Sequence, residues 1–478
     1  MSTRSLRILI TNNTLADHAG SELYVRDLAL GLLRRGHRPM VFSTVLGEVA
    51  ETLSRATVPV VDDLAALASA PDLIHGQHHL ETMMALLHFP DTPAVHLCHG
   101  WQPWEELPPV HPGIRRYIAV DDLCAERLLT TKGIDAARVR TLYNGVDLQR
   151  FQPRSPLPER PRTALIFSNY ARAGSPSHEA IRAACQACGI DQIDIAGGSS
   201  GQVAREPERL LHDYDIVFAK ARCALEAMAT GCAVVVTDFA GLGGMVTSDN
   251  MRTMRGLNFG VRTMQRSAVT EAAISTELAR YSREDAARVS DWIRREASFD
   301  GVVDAALALY REALDEPARP TDRSASMAAS AYLRLLSPRL KSLWQAESRA
   351  QSAETSLGEL GARIDAALAR EQASQQALAD ARALAVATQA QLDDTTAQCD
   401  MAMVREQEHL RVQAEHDRQI ADLQAHVTAS EMQLEIARRD NAALRAELEQ
   451  ASHTLHDIHR SRAWRAVSAY RRLRAWLG

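Results

Sequence analysis

Between Leu6 and Leu314, short runs of β-branched and aliphatic residues alternate with amphipathic helical stretches, and this alternation constrains the fold more than any other feature of the chain. Arg7–Ile10, Met40–Phe42, Asp72–His75 and Ala94–Cys98 read as strands, with helices over Ser21–Arg35 and Val49–Arg55 among them. After the proline-dense run Gln152–Pro158, which reads as a linker, Thr163–Phe167, Gln192–Ile195, Asp215–Phe218 and Ala233–Thr237 repeat the pattern. Strands that hand over to a helix and back pair in parallel through right-handed crossovers, with helices on both faces. The expectation is an α/β chain with two Rossmann-like parallel-sheet domains, residues 1–152 and 159–316, whose ligands gather at the carboxyl ends of the strands.

Beyond Pro317-Ala318-Arg319-Pro320 the composition shifts to Ala, Gln, Glu, Arg and Leu, so that 317–344 reads as linker and helix and 345–459 as a coiled coil. One heptad frame holds from Leu357 through Ile364, Leu378, Leu392, Ile420, Val427 and Leu434 to Leu455, with Leu360, Ala367, Ala381, Leu423, Leu444 and Ile458 at the second core position. Glu406, His409, Gln413 and His416 fall on core positions and predict a weakened stretch, while Asn441 would fix register in a parallel dimer. A homo-oligomer through residues 357–458 is expected; a single long solvated helix is the alternative.

The bulk composition excludes several classes. A net charge of −6 over 478 residues gives no general attraction to nucleic acid. Seven scattered cysteines in mostly apolar surroundings read as reduced thiols, and Cys185 and Cys188 have C-x-x-C spacing without the second pair a zinc site needs. The apolar run Ile8–Ile10 is too short for a secretory signal, and no stretch is long enough to span a bilayer, so a cytoplasmic location is expected. His75, His78 and His79 have a spacing that could mimic a metal site, but His78 and His79 are adjacent and point apart; neither a metal nor a cofactor is expected.

Glu226, in the run Leu225-Glu226-Ala227-Met228-Ala229-Thr230-Gly231, reads as lying where a helix begins between two strands. A carboxylate there suits the vicinal hydroxyls of a ribose, and the helix N-terminus suits a phosphate. Gly20, opening an earlier helix, would let backbone approach a diphosphate, or it merely permits a turn before Ser21. Lys220, six residues before Glu226, can reach a phosphate as a point charge, or it is an exposed loop lysine. Glycine-rich loops follow at Asp238–Met245 and Arg255–Gly260 and make Asn258 a weaker contact.

The stretch around Glu226, the Ala19-Gly20-Ser21-Glu22 helix start, the ending Leu33-Arg34-Arg35-Gly36-His37 and the run Asn144-Gly145-Val146-Asp147 together resemble retaining nucleotide-sugar glycosyltransferases of the two-domain GT-B type, family 4. The resemblance implies two domains facing a cleft, a metal-independent, hexosyltransferase-like activity, and a nucleotide-diphosphate sugar as substrate. It implies that His99 acts at the donor sugar, the alternative being a satisfied histidine at a strand end. Trp101 then borders the acceptor, and Arg172 stands opposite the diphosphate with Lys220. The family pairs two glutamates with seven residues between; here the first position is Phe218, which implies altered sugar recognition.

The segment 460–478 interleaves arginines with Trp464, Tyr470 and Trp476 and contains no acid, which suits an amphipathic helix on an anionic membrane surface. Nucleic-acid binding and a plain helical cap are the other readings. Taken together, the expectation is sugar transfer to a glycan or glycolipid acceptor, a lipid-linked or surface polysaccharide, at the cytoplasmic membrane face. The alternatives are a GT-B scaffold without turnover whose coiled coil organises biosynthetic enzymes, and a purely structural or DNA-binding coiled coil.

Overall fold

The computed structural model describes residues 4–397, apart from Tyr170, 201–205, Phe239, 265–266 and 318–321, and then residues 410–432 and Glu435. In chain order the first part contains β1 (Arg7–Thr11), α1 (Gly20–Arg34), β2 (Arg38–Phe42), α2 (Glu48–Arg55), β3 (Val60–Val61), β4 (Leu73–Gln77), α3 (His79–His88), β5 (Ala94–Cys98), β6 (Ile114–Ala119), α4 (Asp122–Thr130) and β7 (Val139–Thr141). These strands form one parallel sheet in the order β3-β2-β1-β4-β5-β6-β7.

The second part contains β8 (Thr163–Phe167), α5 (Pro176–Ala187), β9 (Gln192–Ala196), α6 (Pro207–Leu210), β10 (Ile216–Ala219), α7 (Ala221–Thr230), β11 (Ala233–Asp238) and β12 (Gly241–Met245). It continues with α8 (Met251–Gly256), α9 (Val261–Met264), α10 (Glu271–Leu278), α11 (Arg283–Glu296), α12 (Phe299–Asp315) and α13 (Asp322–Ala397). Its sheet, β12-β11-β10-β8-β9, is parallel except for the antiparallel edge strand β12. The chain is thus α/β, with two parallel-sheet lobes followed by a long helix. Strands such as β4, β5 and β11 are buried along their whole length, as expected of sheets covered on both faces.

The lobes exchange chain where two connecting segments run side by side. The Val146 N–H donates to Ala297 O (2.8 Å) and the Phe299 N–H to Val146 O (2.9 Å). A Cβ on Gly145 would lie 3.0 Å from Phe299 Cα and 2.9 Å from Val302 Cγ2, so the Asn144–Asp147 run is shaped by this crossing. The return crossing changes the expected boundary: α12, placed by sequence in the second domain, packs Phe299, Val303, Leu307 and Tyr310 into the core of the first. Its close contact with α1 is made at Gly31, where a Cβ would meet Val303 Cγ2 at 2.7 Å.

The proline-dense run is no free linker either. Phe151 and Leu157 are buried in the second lobe, the Arg154 N–H donates to Thr230 O (2.8 Å), and the Tyr281 hydroxyl donates to Pro158 O (2.7 Å).

From Pro338 onward, α13 carries a stripe in which Leu343, Ala346, Ala350, Leu360 and Ala367 are buried, in the heptad frame read from sequence. Residues 410–432 are helical again, and the Ser374 hydroxyl lies 3.4 Å from that of Ser430. At about 1.5 Å rise per residue, two such distant positions meet only if the second helix runs back along the first. Ile420, Leu423 and Val427 are half-buried in that second helix. Leu434, Asn441, Leu444, Leu455, Ile458 and the segment 460–478 lie outside the described residues. Among the described residues, no helix is long and apolar enough to cross a membrane.

Candidate functional site

In the first sheet the strand order reverses between β1 and β4, the place where open α/β sheets collect ligands at their carboxyl ends. The residues leaving those strands meet there. His99, just past β5, places Nε2 2.6 Å from Gln77 Oε1 at the end of β4, and its backbone N–H donates to Glu106 Oε2 (2.9 Å). His78 Nε2 lies 3.3 Å from Glu106 Oε1, and the Asn13 N–H donates to His78 Nδ1 (3.3 Å). His78 is held at φ 59°, a left-handed conformation that costs a non-glycine residue on the order of 1 kcal/mol. Tyr24 of α1 meets the His99 ring edge-on, with centroids 4.9 Å apart.

The charges in this cluster are sorted by environment. Burial pushes His99 down to about 4, so its imidazole is neutral at pH 7. With Nε2–H donated to Gln77, Nδ1 carries the lone pair. Burial alone would raise Glu106, but His78 and His99 outweigh it and hold this carboxyl below the usual range. Burial opposes charge on His78, yet facing Glu106 raises it. The remaining histidines are dispersed: His75 Nδ1 lies 2.7 Å from the Tyr310 hydroxyl, His79 Nδ1 2.5 Å from that of Tyr332, and His96 Nδ1 3.4 Å from that of Thr82. Among the described residues, no three His, Cys, Asp or Glu side chains are grouped to hold a metal ion.

In the second sheet the order reverses between β8 and β10. The Ser168 hydroxyl, after β8, donates to Asp238 Oδ1 (3.2 Å) at the end of β11, and Lys220, after β10, pairs with the other oxygen of Asp238. Lys220 precedes α7, whose N-terminus has no side-chain cap. Ala221, the first helical residue, has φ 48° and donates its N–H to Phe259 O (3.0 Å); Asn258 and Phe259 are themselves left-handed at φ 54° and 49°. Three strained non-glycine residues thus converge on one helix start, the kind of clustering found at binding sites.

The sequence-based assignments fare unevenly. Lys220 and the turn bearing Asn258 are brought together at the start of α7. Arg172 is exposed on the loop after β8, Gly20 is exposed at the start of α1 with nothing within 4 Å of a built Cβ, and Trp101 is half-buried after His99 and Gly100. Glu226 is not at the helix start: α7 begins at Ala221, and Glu226 is buried in the second turn. Its Oε1 accepts from Arg222 Nε at 2.8 Å, and burial nevertheless raises its pKa. Phe218, the position read from the resemblance as that of a first glutamate, is fully buried inside β10 in the core with Ile216 and Val235.

Arg222 and Asp27 were missed. The Arg222 guanidinium bonds Glu226 and also reaches Asp27 on α1, so one side chain ties the two lobes together. Its spacing of four from Glu226 was the available signal, since i,i+4 neighbours share a helix face; nothing in the sequence pointed to Asp27.

No curated protein matches the chain in sequence. Among solved structures, a glycosyltransferase from Rickettsia africae aligns at 12% identity over 66% of this chain and all of its own, with TM-score 0.47. HepE from Anabaena, solved with UDP and glucose, aligns at 14% identity over 64% of this chain and 99% of its own, TM-score 0.47. MurG from Acinetobacter baumannii aligns at 12% identity over 63% and 99%, TM-score 0.37. At these TM-scores none of them bears on the chemistry of this chain. Residues 18–150, in the first lobe, fit the profile of Glycosyltransferase Family 4.

Proposed function

We propose that this chain is a retaining glycosyltransferase that moves a sugar from a nucleotide-diphosphate donor to a glycan or glycolipid acceptor. The observation that carries the reading is the uncapped start of α7, where Lys220, the strained Ala221 and the Asn258 turn meet one helical turn before Glu226, in a chain whose first lobe fits a glycosyltransferase profile. Backbone N–H groups at a helix N-terminus attract phosphate, and Lys220, held beside Asp238, adds a positive charge. In this reading the diphosphate sits there, Arg172 approaches from its exposed loop, and Glu226 accepts from the ribose hydroxyls.

Cleavage of the sugar–phosphate bond with retention passes through an oxocarbenium-like state, which needs charge stabilisation and orientation more than a strong base. The neutral His99 fits that need. Its Nδ1 lone pair accepts from a sugar hydroxyl, while Gln77 and Glu106 fix the ring and its backbone in place. A polysaccharide acceptor at a membrane surface rests on the basic aromatic run 460–478 alone.

The test is a panel of UDP-, GDP-, ADP- and CDP-sugars assayed for donor hydrolysis and for transfer to lipid-linked acceptors, with the anomeric configuration of the product read by NMR. One nucleotide class should be consumed with its anomeric configuration kept. Tight nucleotide binding with no turnover on any acceptor would support a scaffold instead.

A further inference from the structure

A cavity of about 720 Å³ lies beside the lobe crossing, lined by Asp122 and Tyr143 from the first lobe and by Arg252, Arg255, Arg295 and Glu296 from the second. None of Gly20, His99, Arg172, Lys220 or Glu226 contributes to it. Its volume is that of a small-molecule site.

The wall contains a buried cation with an unsatisfied nitrogen. Arg255 is only 7% exposed, and its Nη1 has no hydrogen-bond partner. Its guanidinium lies over the Tyr143 ring, 5.6 Å from the centroid. The Asp122 carboxylate on this wall is engaged, its Oδ1 accepting from the Tyr143 hydroxyl at 2.7 Å, and Glu296 acts on Arg255 through its charge without a hydrogen bond. A built Cβ on Gly256 would come 2.7 Å from Asp122 Oδ2, so the two lobes touch at this wall. Burial lowers the Arg255 pKa to about 10, which still leaves it charged at pH 7. A buried guanidinium nitrogen without a hydrogen bond is costly to maintain, and a bound oxyanion is the group that would satisfy it.

We propose that this cavity binds a sugar-sized molecule carrying one oxyanion, a sugar phosphate or a sugar acid, with Arg255 on the anion. Arg252 and Arg295, exposed at the rim, add to the attraction for the anion. The carboxylates of Asp122 and Glu296 on the same wall accept from sugar hydroxyls.

The experiment is calorimetric titration of the full chain with glucose 6-phosphate, glucuronate, glucose and inorganic phosphate, repeated on Arg255→Met and Arg255→Lys. Saturable binding of glucose 6-phosphate or of glucuronate supports the proposal and identifies which oxyanion is recognised. Arg255→Met should weaken that binding at least about tenfold and Arg255→Lys less. Because the methionine removes an unpaired buried charge, its melting temperature should be no lower than that of the parent, which separates lost binding from lost folding. The proposal is overturned by the absence of saturable heat with either sugar anion up to roughly 10 mM, by inorganic phosphate binding as tightly as the sugar phosphate, or by binding that Arg255→Met leaves unchanged. None of these outcomes depends on glycosyl transfer.

Discussion

Arg222 Nε lies 2.8 Å from Glu226 Oε1 on the same helix, and the other end of that guanidinium holds Asp27 on the opposite lobe. The carboxylate assigned to the ribose is therefore part of a buried bridge between lobes. Asp27 is held low: burial opposes its charge, but Arg222 and Arg26 outweigh it. Arg222→Met should destabilise the chain by about 3 kcal/mol, because it strands Glu226 in a buried site while Arg26 still serves Asp27. Urea denaturation measures this. A loss below about 0.5 kcal/mol would show that the bridge contributes nothing beyond an exposed pair.

Gly20→Ala separates folding from binding. A Cβ there meets nothing within 4 Å, so thermal stability should be unchanged within about 0.5 kcal/mol. If a diphosphate packs on this backbone, nucleotide affinity should drop about tenfold or more in calorimetry. Unaltered affinity would remove Gly20 from the donor site.

Gly145→Val acts at the lobe crossing. Its side chain would collide with the Phe299 backbone and with Val302, and overpacking of this kind costs about 1–3 kcal/mol. The parallel crossing of Val146 against Ser298 should loosen, so limited proteolysis should cut near residues 145 and 298 faster than in the parent. An unchanged cleavage pattern would contradict the assignment of this glycine to the crossing.

Stability should fall with acidification below about pH 6.5. Burial pushes His75 and His96 to about 3 and His99 to about 4 in the folded chain, all below the unfolded value. The unfolded chain therefore binds more protons between those values, and the stability these residues give is present above pH 6.5 and lost on the way down. Each contributes a slope of at most about 1.4 kcal/mol per pH unit. His78, shifted upward, contributes with the opposite sign. Melting temperatures from pH 7.5 to 5 should decline, and the decline should be shallower in His96→Asn. A flat profile would mean that these rings charge in the folded state.

The fold was legible because both sheets are parallel apart from the edge strand β12, and their strands appear as continuous apolar runs between amphipathic helices. The swap of α12 into the first lobe was not, because an amphipathic helix does not declare which of two apolar sheets it covers. The heptad stripe was readable, but periodicity alone does not say whether a partner helix comes from another chain or from the same one folded back. At the candidate site, Lys220 and Glu226 were read from a motif. Gln77, Glu106 and Asp27 were not, since their roles arise from contacts between residues 22, 7 and 195 positions apart in sequence.

The proposed function requires a nucleotide diphosphate held at the start of α7, with Glu226 on its ribose. The most direct measurement is calorimetric binding of UDP, GDP, ADP and CDP to the parent and to Glu226→Gln, which keeps the shape of the side chain and removes its charge. One nucleotide should bind the parent, and the glutamine variant should bind it weaker by roughly 1–3 kcal/mol, the scale of a charge-assisted hydrogen bond. Equal affinity in both proteins, or no binding of any of the four to a folded parent, would contradict it.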